Sequence, residues 1–108
     1  MLNVAMQDLG PERFHPRVAA NFMVKAMVQG RLVVTKAKDL SMAGMSLIGP
    51  IGVQGEKVTV AIPLPHDREI LTAGRITREL SDGVALEFDS LDWDDMFALA
   101  RYLHPRLP

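Results

Sequence analysis

The segment Val18–Val28, with the sequence VAANFMVKAMV, decides the fold because hydrophobic residues occupy every second position along it. A period of two over this length predicts a β-strand with one buried face. Gln29-Gly30 then gives a short connection, and the alternation resumes from Arg31 to Lys38. The two segments therefore predict a β-hairpin that returns the chain to its starting end.

The remaining chain continues the strand pattern and then changes its period. Further alternating segments cover Met45–Ile48, Lys57–Leu64, Glu69–Leu80 and Val84–Phe88, and Gly74 predicts a bulge or a barrel corner within the third of these. Beyond them Ser90 is a candidate helix cap, Pro105 ends the helix, and a hydrophobic stripe follows helical spacing at Met96, Leu99, Ala100 and Leu103. Six short antiparallel strands before a helix predict a mainly β fold, either a small barrel or a sandwich.

Length and composition limit the classes of function. A chain of 108 residues predicts one domain, and a net charge of −1 argues against a groove for a long nucleic acid polymer. The lack of cysteine excludes disulfides and thiolate metal sites. The sequence pattern indicates neither membrane insertion nor a signal peptide, so we expect a cytoplasmic protein. Residues 1–12 are weakly patterned and predict a flexible N-terminal arm before a domain at 13–108.

Two arginines, Arg13 and Arg17, flank a stiff segment that contains Pro16. Each guanidinium is a planar, charged fork of five donors, which suits phosphates and the O6/N7 edge of guanine. Both groups can reach one small flat ligand, because the four intervening steps span at most about 13 Å. The alternative is that both are ordinary solvated charges.

A second motif, Asp39-x-Ser41-x-x-Gly44, follows the predicted hairpin. The Asp39 carboxylate can accept from N1 and N2 of guanine, Ser41 can donate or accept nearby, and Gly44 permits positive φ and a close approach to a ligand. The alternative is a turn stabilised by the aspartate and serine side chains. Because a hairpin returns to its start, the two motifs are expected at the same rim of the sheet.

Arg13-x-x-x-Arg17 followed by Asp39-x-Ser41-x-x-Gly44 resembles the paired motif of PilZ domains, bacterial receptors for cyclic di-GMP. The resemblance covers about residues 13–103. It implies a six-stranded antiparallel β-barrel with a C-terminal α-helix. It also implies that Arg13 and Arg17 hold the phosphates and contact guanine, that Asp39 and Ser41 read a guanine edge, and that Gly44 lets the loop fit. A stand-alone receptor of this kind would relay the signal to an unidentified downstream protein.

Two other functions remain open from the sequence. One is a protein-interaction module of the same fold that does not depend on the nucleotide. The other is a small barrel for single-stranded nucleic acid, which the low aromatic content of 6% and the charge of −1 disfavour. No nucleophile–base pair, carboxylate dyad or metal-ligand spacing stands out, so we expect a binding protein with no catalytic residues, no metal and no cofactor.

Overall fold

Six strands follow the alternating segments of the sequence in the computed structural model, which describes residues 16–107. They are β1 (Val18–Val28), β2 (Arg31–Leu40), β3 (Gly44–Ile48), β4 (Lys57–Leu64), β5 (Arg68–Leu80) and β6 (Gly83–Phe88). Neighbouring strands are antiparallel, and the sheet closes as a barrel in the order β1-β2-β3-β6-β5-β4. The predicted six-stranded barrel is confirmed, and the sandwich is excluded. The expected arm at 1–12 lies outside the described residues.

Tight turns with left-handed backbone join the two longest hairpins. Gln29 and Gly30 have φ angles of 50° and 75°, and His66 and Asp67 have φ angles of 66° and 58°. Two consecutive residues with positive φ give the turn whose twist matches that of the flanking strands. The β1–β2 hairpin therefore returns to its starting end, where Val18 and Leu40 are partners.

The barrel interior is filled by alternate residues of the strands, as the period of two predicts. Val24, Ala26 and Val28 of β1 are buried there, together with similar side chains from every other strand. β1 also pairs with β4 from Lys25–Ala61 to Met27–Thr59, and this short ladder closes the barrel. Because every strand contributes one face to the same interior, the strands share one continuous core.

The helix α1 (Trp93–Leu103) follows β6, and its start corrects the sequence prediction. Asp92 rather than Ser90 is the N-cap, since its Oδ1 accepts from the Asp95 backbone N–H at 2.8 Å. Ser90 is still tied to the barrel, because its carbonyl accepts from Thr72 Oγ1 at 3.0 Å. The helix can begin only after that contact.

The predicted stripe of α1 is only partly correct. Leu99 and Leu103 are buried against the core, Met96 is half-buried, and Ala100 is exposed. The helix ends at Leu103, and Pro105 lies in a short 3-10 turn, His104–Arg106, as expected for a residue that cannot continue a helix. Within residues 16–107, no helix has the length and hydropathy needed to cross a membrane.

The bulge predicted at Gly74 occurs further along β5. The register between β5 and β6 shifts between Ile76 and Arg78. Gly74 itself lies in regular pairing opposite Phe88, and a Cβ there would overlap the carbonyl oxygen of Glu87. The lack of a side chain at Gly74 thus allows β5 and β6 to approach each other closely.

Removing the carboxylate that caps α1 is expected to destabilise the protein moderately. Asp92→Ala loses the bond to the Asp95 N–H and should lower the free energy of unfolding by about 1 kcal/mol. The midpoint of urea unfolding measures this change. Asp94→Ala is the matched control, because Asp94 lies in the same first turn without the capping position. Equal effects of the two substitutions would contradict the capping role.

Candidate functional site

Arg17 and Asp39 meet at one rim of the barrel, as the hairpin predicts. Arg17 immediately precedes β1, and Asp39 lies in β2 as the partner of Ala19. Arg17 Nη1 donates to Asp39 Oδ1 at 2.6 Å and to Ser46 Oγ at 3.2 Å. The side chains of Arg17 and Asp39 are 30% and 24% exposed, so the pair is partly accessible to solvent. Asp39 is therefore a strand residue, which corrects its expected position in the connecting turn.

Ser41 is enclosed in the turn between β2 and β3. Its Oγ accepts from the backbone N–H groups of Ala43 and Gly44 at 3.1 and 3.2 Å. Its own N–H donates to the Gly44 carbonyl at 2.9 Å, and the residue is 1% exposed. The serine part of the alternative turn is therefore present, whereas the Asp39 side chain is bonded to Arg17 and takes no part in it. The hydroxyl shapes the rim, and it is not directed into solvent.

The structure shows a packing requirement for Gly44 between two strands, and its expected close approach to a ligand stays a prediction. Gly44 pairs with Glu87 of β6, and its φ lies outside the left-handed region. A Cβ at this position would overlap the carbonyl oxygen of Leu86. The glycine thus permits the close approach of β6 to β3, directly beneath the turn formed by Ser41.

A pocket of about 210 Å³ opens beside these residues on the outer surface of the barrel. Its lining comes from the rim and from neighbouring strands: Arg17, Ser41, Ala43, Gly44, Thr77, Arg78, Ala85, Leu86 and Glu87. The structure thus brings together Arg17, Ser41 and Gly44, with Asp39 joined to them through Arg17. Arg13 lies outside the described residues, and its role in binding the ligand stays a prediction.

Arg78 is a pocket residue that the sequence analysis missed. Strict alternation would put Arg78 on the same side of β5 as the buried Ile70 and Ile76, but the register shift after Ile76 leaves Arg78 exposed and lining the pocket. Alternation alone carries no signal for such a shift, because the extra residue changes the face of everything beyond it.

The groups around the pocket carry two guanidiniums and two carboxylates, and together they can bind a ligand that has both anionic groups and hydrogen-bonding edges. Arg17 and Arg78 supply two guanidinium groups against the single carboxylate of Glu87 in the lining, while Asp39 balances Arg17 from the side. Forked donors can bind phosphate oxygens, and the two carboxylates can accept from a base edge. In the part of the chain that the structure describes, no cluster of three His, Cys, Asp or Glu residues could hold a metal ion.

Comparison with known proteins identifies relatives across nearly the whole chain. The family model described as "PilZ domain" matches residues 11–104. Among solved structures, the Bacillus subtilis inhibitor of motility, MotI/DgrA, superimposes with a TM-score of 0.75 at 24% identity. That similarity covers 85% of this chain and 49% of the other, so the chain spans about half the length of MotI/DgrA.

Two further structures share the fold at lower identity. The PilZ domain of Escherichia coli YcgR, with c-di-GMP, has a TM-score of 0.68 at 11% identity, covering 85% of this chain and 88% of that one. Borreliella burgdorferi PlzA, in complex with c-di-GMP, has a TM-score of 0.66 at 15% identity, covering 94% and 44%. No curated protein sequence matches the chain. At these identities the solved structures establish a shared barrel architecture.

Proposed function

Because the chain belongs to the PilZ domain family, we propose that it is a cytoplasmic receptor for cyclic di-GMP that relays the signal to a partner protein. The binding residues are those of the two motifs: Arg13, Arg17, Asp39, Ser41 and Gly44. The observation that carries the proposal is the contact between Arg17 and Asp39, which joins the two motifs at one rim beside a pocket. The descriptions of YcgR and PlzA as complexes with c-di-GMP support the choice of ligand.

The chemistry of the ligand matches the groups at the rim. Cyclic di-GMP carries two phosphodiester charges and two guanines. Arg17 donates its fork to a phosphate and stacks its plane on a purine, and Arg13 provides the second guanidinium. Asp39 accepts from the N1 and N2 donors of guanine. Ser41 contributes by holding the turn in shape, since its hydroxyl is already bonded to backbone N–H groups.

Binding exchanges one partner of Arg17 for another. A partly exposed ion pair such as Arg17–Asp39 contributes only about 0–1 kcal/mol. A hydrogen bond to a charged group contributes about 1.5–3 kcal/mol when its geometry is good. Moving the guanidinium from the carboxylate to a phosphate exchanges one charge-assisted hydrogen bond for another, and it frees Asp39 to accept from guanine. In the free protein the ion pair keeps both groups close to their binding positions.

The relay to a partner involves the chain before β1. In the proposal, residues 13–108 form the binding domain and residues 1–12 form an arm that precedes Arg13. A ligand held by Arg13 and Arg17 orders this segment against the barrel and changes the surface near the rim. The size of the response is limited by the difference in ligand affinity between the two forms.

Isothermal titration calorimetry with cyclic di-GMP tests the proposal directly. The wild type is expected to bind with a free energy of about −8 kcal/mol, which corresponds to roughly micromolar affinity. Cyclic di-AMP is the matched ligand control, because adenine lacks the N1 and N2 donors that Asp39 accepts, and it should bind at least about tenfold more weakly. Neither heat nor changes in backbone amide shifts with cyclic di-GMP would refute the receptor function.

Arg78 provides a second test of the same pocket. Arg78→Ala should weaken cyclic di-GMP binding by about 1–2 kcal/mol, or roughly 5- to 30-fold, because one charged donor in the lining is lost. Arg75→Ala is the matched control on the same strand, since Arg75 donates to the Gly55 carbonyl away from the pocket. Calorimetry on both variants compares the affinities. Equal losses, or no loss from Arg78→Ala, would exclude Arg78 from the site.

A nucleotide-independent interaction module is the second candidate. The rim is internally satisfied without a ligand, since Asp39 balances Arg17 and backbone groups occupy the Ser41 hydroxyl. Such a rim is compatible with a surface that binds a protein directly. Once a partner is identified, capture of that partner with and without cyclic di-GMP separates the two functions. Capture that is unchanged by the nucleotide favours the module.

A further inference from the structure

The outer face of the β1–β2 hairpin exposes large hydrophobic side chains next to lysines. Met27 pairs with Leu32 across the two strands, and Lys25 pairs with Val34. Leu32 is 60% exposed, and Met27 and Val34 are also exposed. We call this surface the methionine–lysine face, and it consists of Met23, Lys25, Met27, Leu32, Val34 and Lys36. Contiguous exposed apolar groups of this kind are typical of interaction sites.

The methionine–lysine face is positively charged as well as apolar. Lys25 and Lys36 are both exposed on it, and Lys36 is the cross-strand partner of Met23. β1 contains no acidic residue, and the one acid of β2, Asp39, is paired with Arg17 at the rim. A surface that covers this face should therefore combine apolar side chains with carboxylates.

The start of α1 presents that combination. Trp93 and Phe97 are 72% and 61% exposed, and their ring centroids lie 6.0 Å apart. Asp92 and Asp94 are exposed beside them, whereas Asp95 is engaged by Arg68 at 3.1 Å. We call Asp92, Trp93, Asp94 and Phe97 the aromatic–acidic face. Exposure of a tryptophan and a neighbouring phenylalanine to water is unfavourable in a monomer. Aromatic side chains of this kind are enriched at protein interfaces.

We propose that the protein self-associates, with the methionine–lysine face of one copy covered by the aromatic–acidic face of another. The occupant is a second copy because the same chain carries both complementary surfaces. Methionine side chains adapt to aromatic rings and make favourable sulfur–aromatic contacts. The lysines lie opposite the aspartates in this contact. Two copies that make this contact twice, each covering the methionine–lysine face of the other, form a closed dimer with two-fold symmetry. Neither face contains a residue that lines the pocket with Arg17, so substitutions in the two faces leave the lining of that pocket unchanged.

Sedimentation velocity over a wide range of protein concentrations is the first test. The wild type should dissociate on dilution and at high salt, because the contact joins opposite charges. Trp93→Ala with Phe97→Ala should weaken association by about tenfold or more. Val53→Ala, which truncates an exposed side chain in the β3–β4 connection, is the control and should leave association unchanged.

Charge reversal distinguishes this contact from any other self-association. Lys25→Glu alone and Asp94→Lys alone should each be monomeric, because each places like charges across the contact. An equimolar mixture of the two variants should associate again, since every contact in the mixed pair joins opposite charges. A wild type that stays monomeric, including one that instead binds anionic lipid vesicles, would overturn the proposal. The proposal would also be overturned if the mixture of the two variants did not associate, or if either variant alone still associated.

Discussion

Arg17→Ala is expected to reduce cyclic di-GMP affinity by about 2–4 kcal/mol, or roughly 30- to 1,000-fold, in calorimetric titration. Arg17 is the described residue that contacts both Asp39 and Ser46 and also lines the pocket. Its removal deletes the charged donor and leaves the Asp39 carboxylate without the group that positions it. Loss of both functions at once makes this the largest expected effect on binding.

Two further substitutions test whether the loss of affinity comes from the planar guanidinium group of Arg17. Arg17→Lys keeps the charge but loses the planar pair of donors, so it should restore only part of the affinity. Arg31→Ala, at the start of β2 and far along the hairpin from Asp39, should bind as the wild type does. The stability of Arg17→Ala should fall by less than about 1 kcal/mol, because the ion pair is partly exposed. Wild-type affinity in Arg17→Ala would refute the proposed site.

Gly44→Ala is expected to destabilise the barrel by about 3 kcal/mol, measured as a lower midpoint of urea unfolding at an unchanged slope. The added Cβ would overlap the Leu86 carbonyl oxygen, so β3 and β6 would have to separate. The nearest atoms that the Cβ would meet all belong to the backbone of Leu86 and Glu87, which cannot move aside as a flexible side chain could. The same displacement should distort the turn held by Ser41.

A glycine with open space around it provides the control for Gly44. Gly30 has a φ of 75°, and a Cβ there would have no atom within 4 Å. Gly30→Ala therefore bears only the cost of left-handed backbone, about 1–2 kcal/mol. If Gly44→Ala were no more destabilising than Gly30→Ala, the close approach of β6 would not explain the glycine in the motif.

The hairpin shows why so much of the fold could be predicted from the sequence. Val18–Val28 alternates without interruption, and one face of the strand fills the core, so a shift by one residue would expose every buried side chain. The two-residue connection at Gln29-Gly30 then fixes the pairing of β1 with β2 as far as Phe22 and Ala37. The return of the hairpin predicts that Arg17 and Asp39 lie at the same rim, but their exact register does not follow from the turn, because the pairing shifts by one residue between Ala19 and Phe22.

The features that the sequence did not predict have one cause. Each depends on a contact between residues far apart in the chain, which a local sequence pattern does not contain. Arg78 faces the pocket because of a register shift against β6, and β6 is set by pairing with β3. Ser90 is not the helix cap because Thr72 of a distant strand binds its carbonyl. Ser41 is a motif residue in the sequence, and its burial depends on how closely the backbone of Gly44 folds beneath it.

The closed order of the strands also limits how another protein can recognise this one. Each described strand has a neighbour on both sides, so none has a wholly free edge, although β1 pairs with β4 only over residues 25–27 and β2 pairs with β3 only over residues 37–40. Domain exchange through a peeled strand would have to break ladders on two sides at once. Side chains on the outer faces and at the rims can encode recognition between chains without breaking these ladders, and there single substitutions can alter one contact without reshaping the sheet.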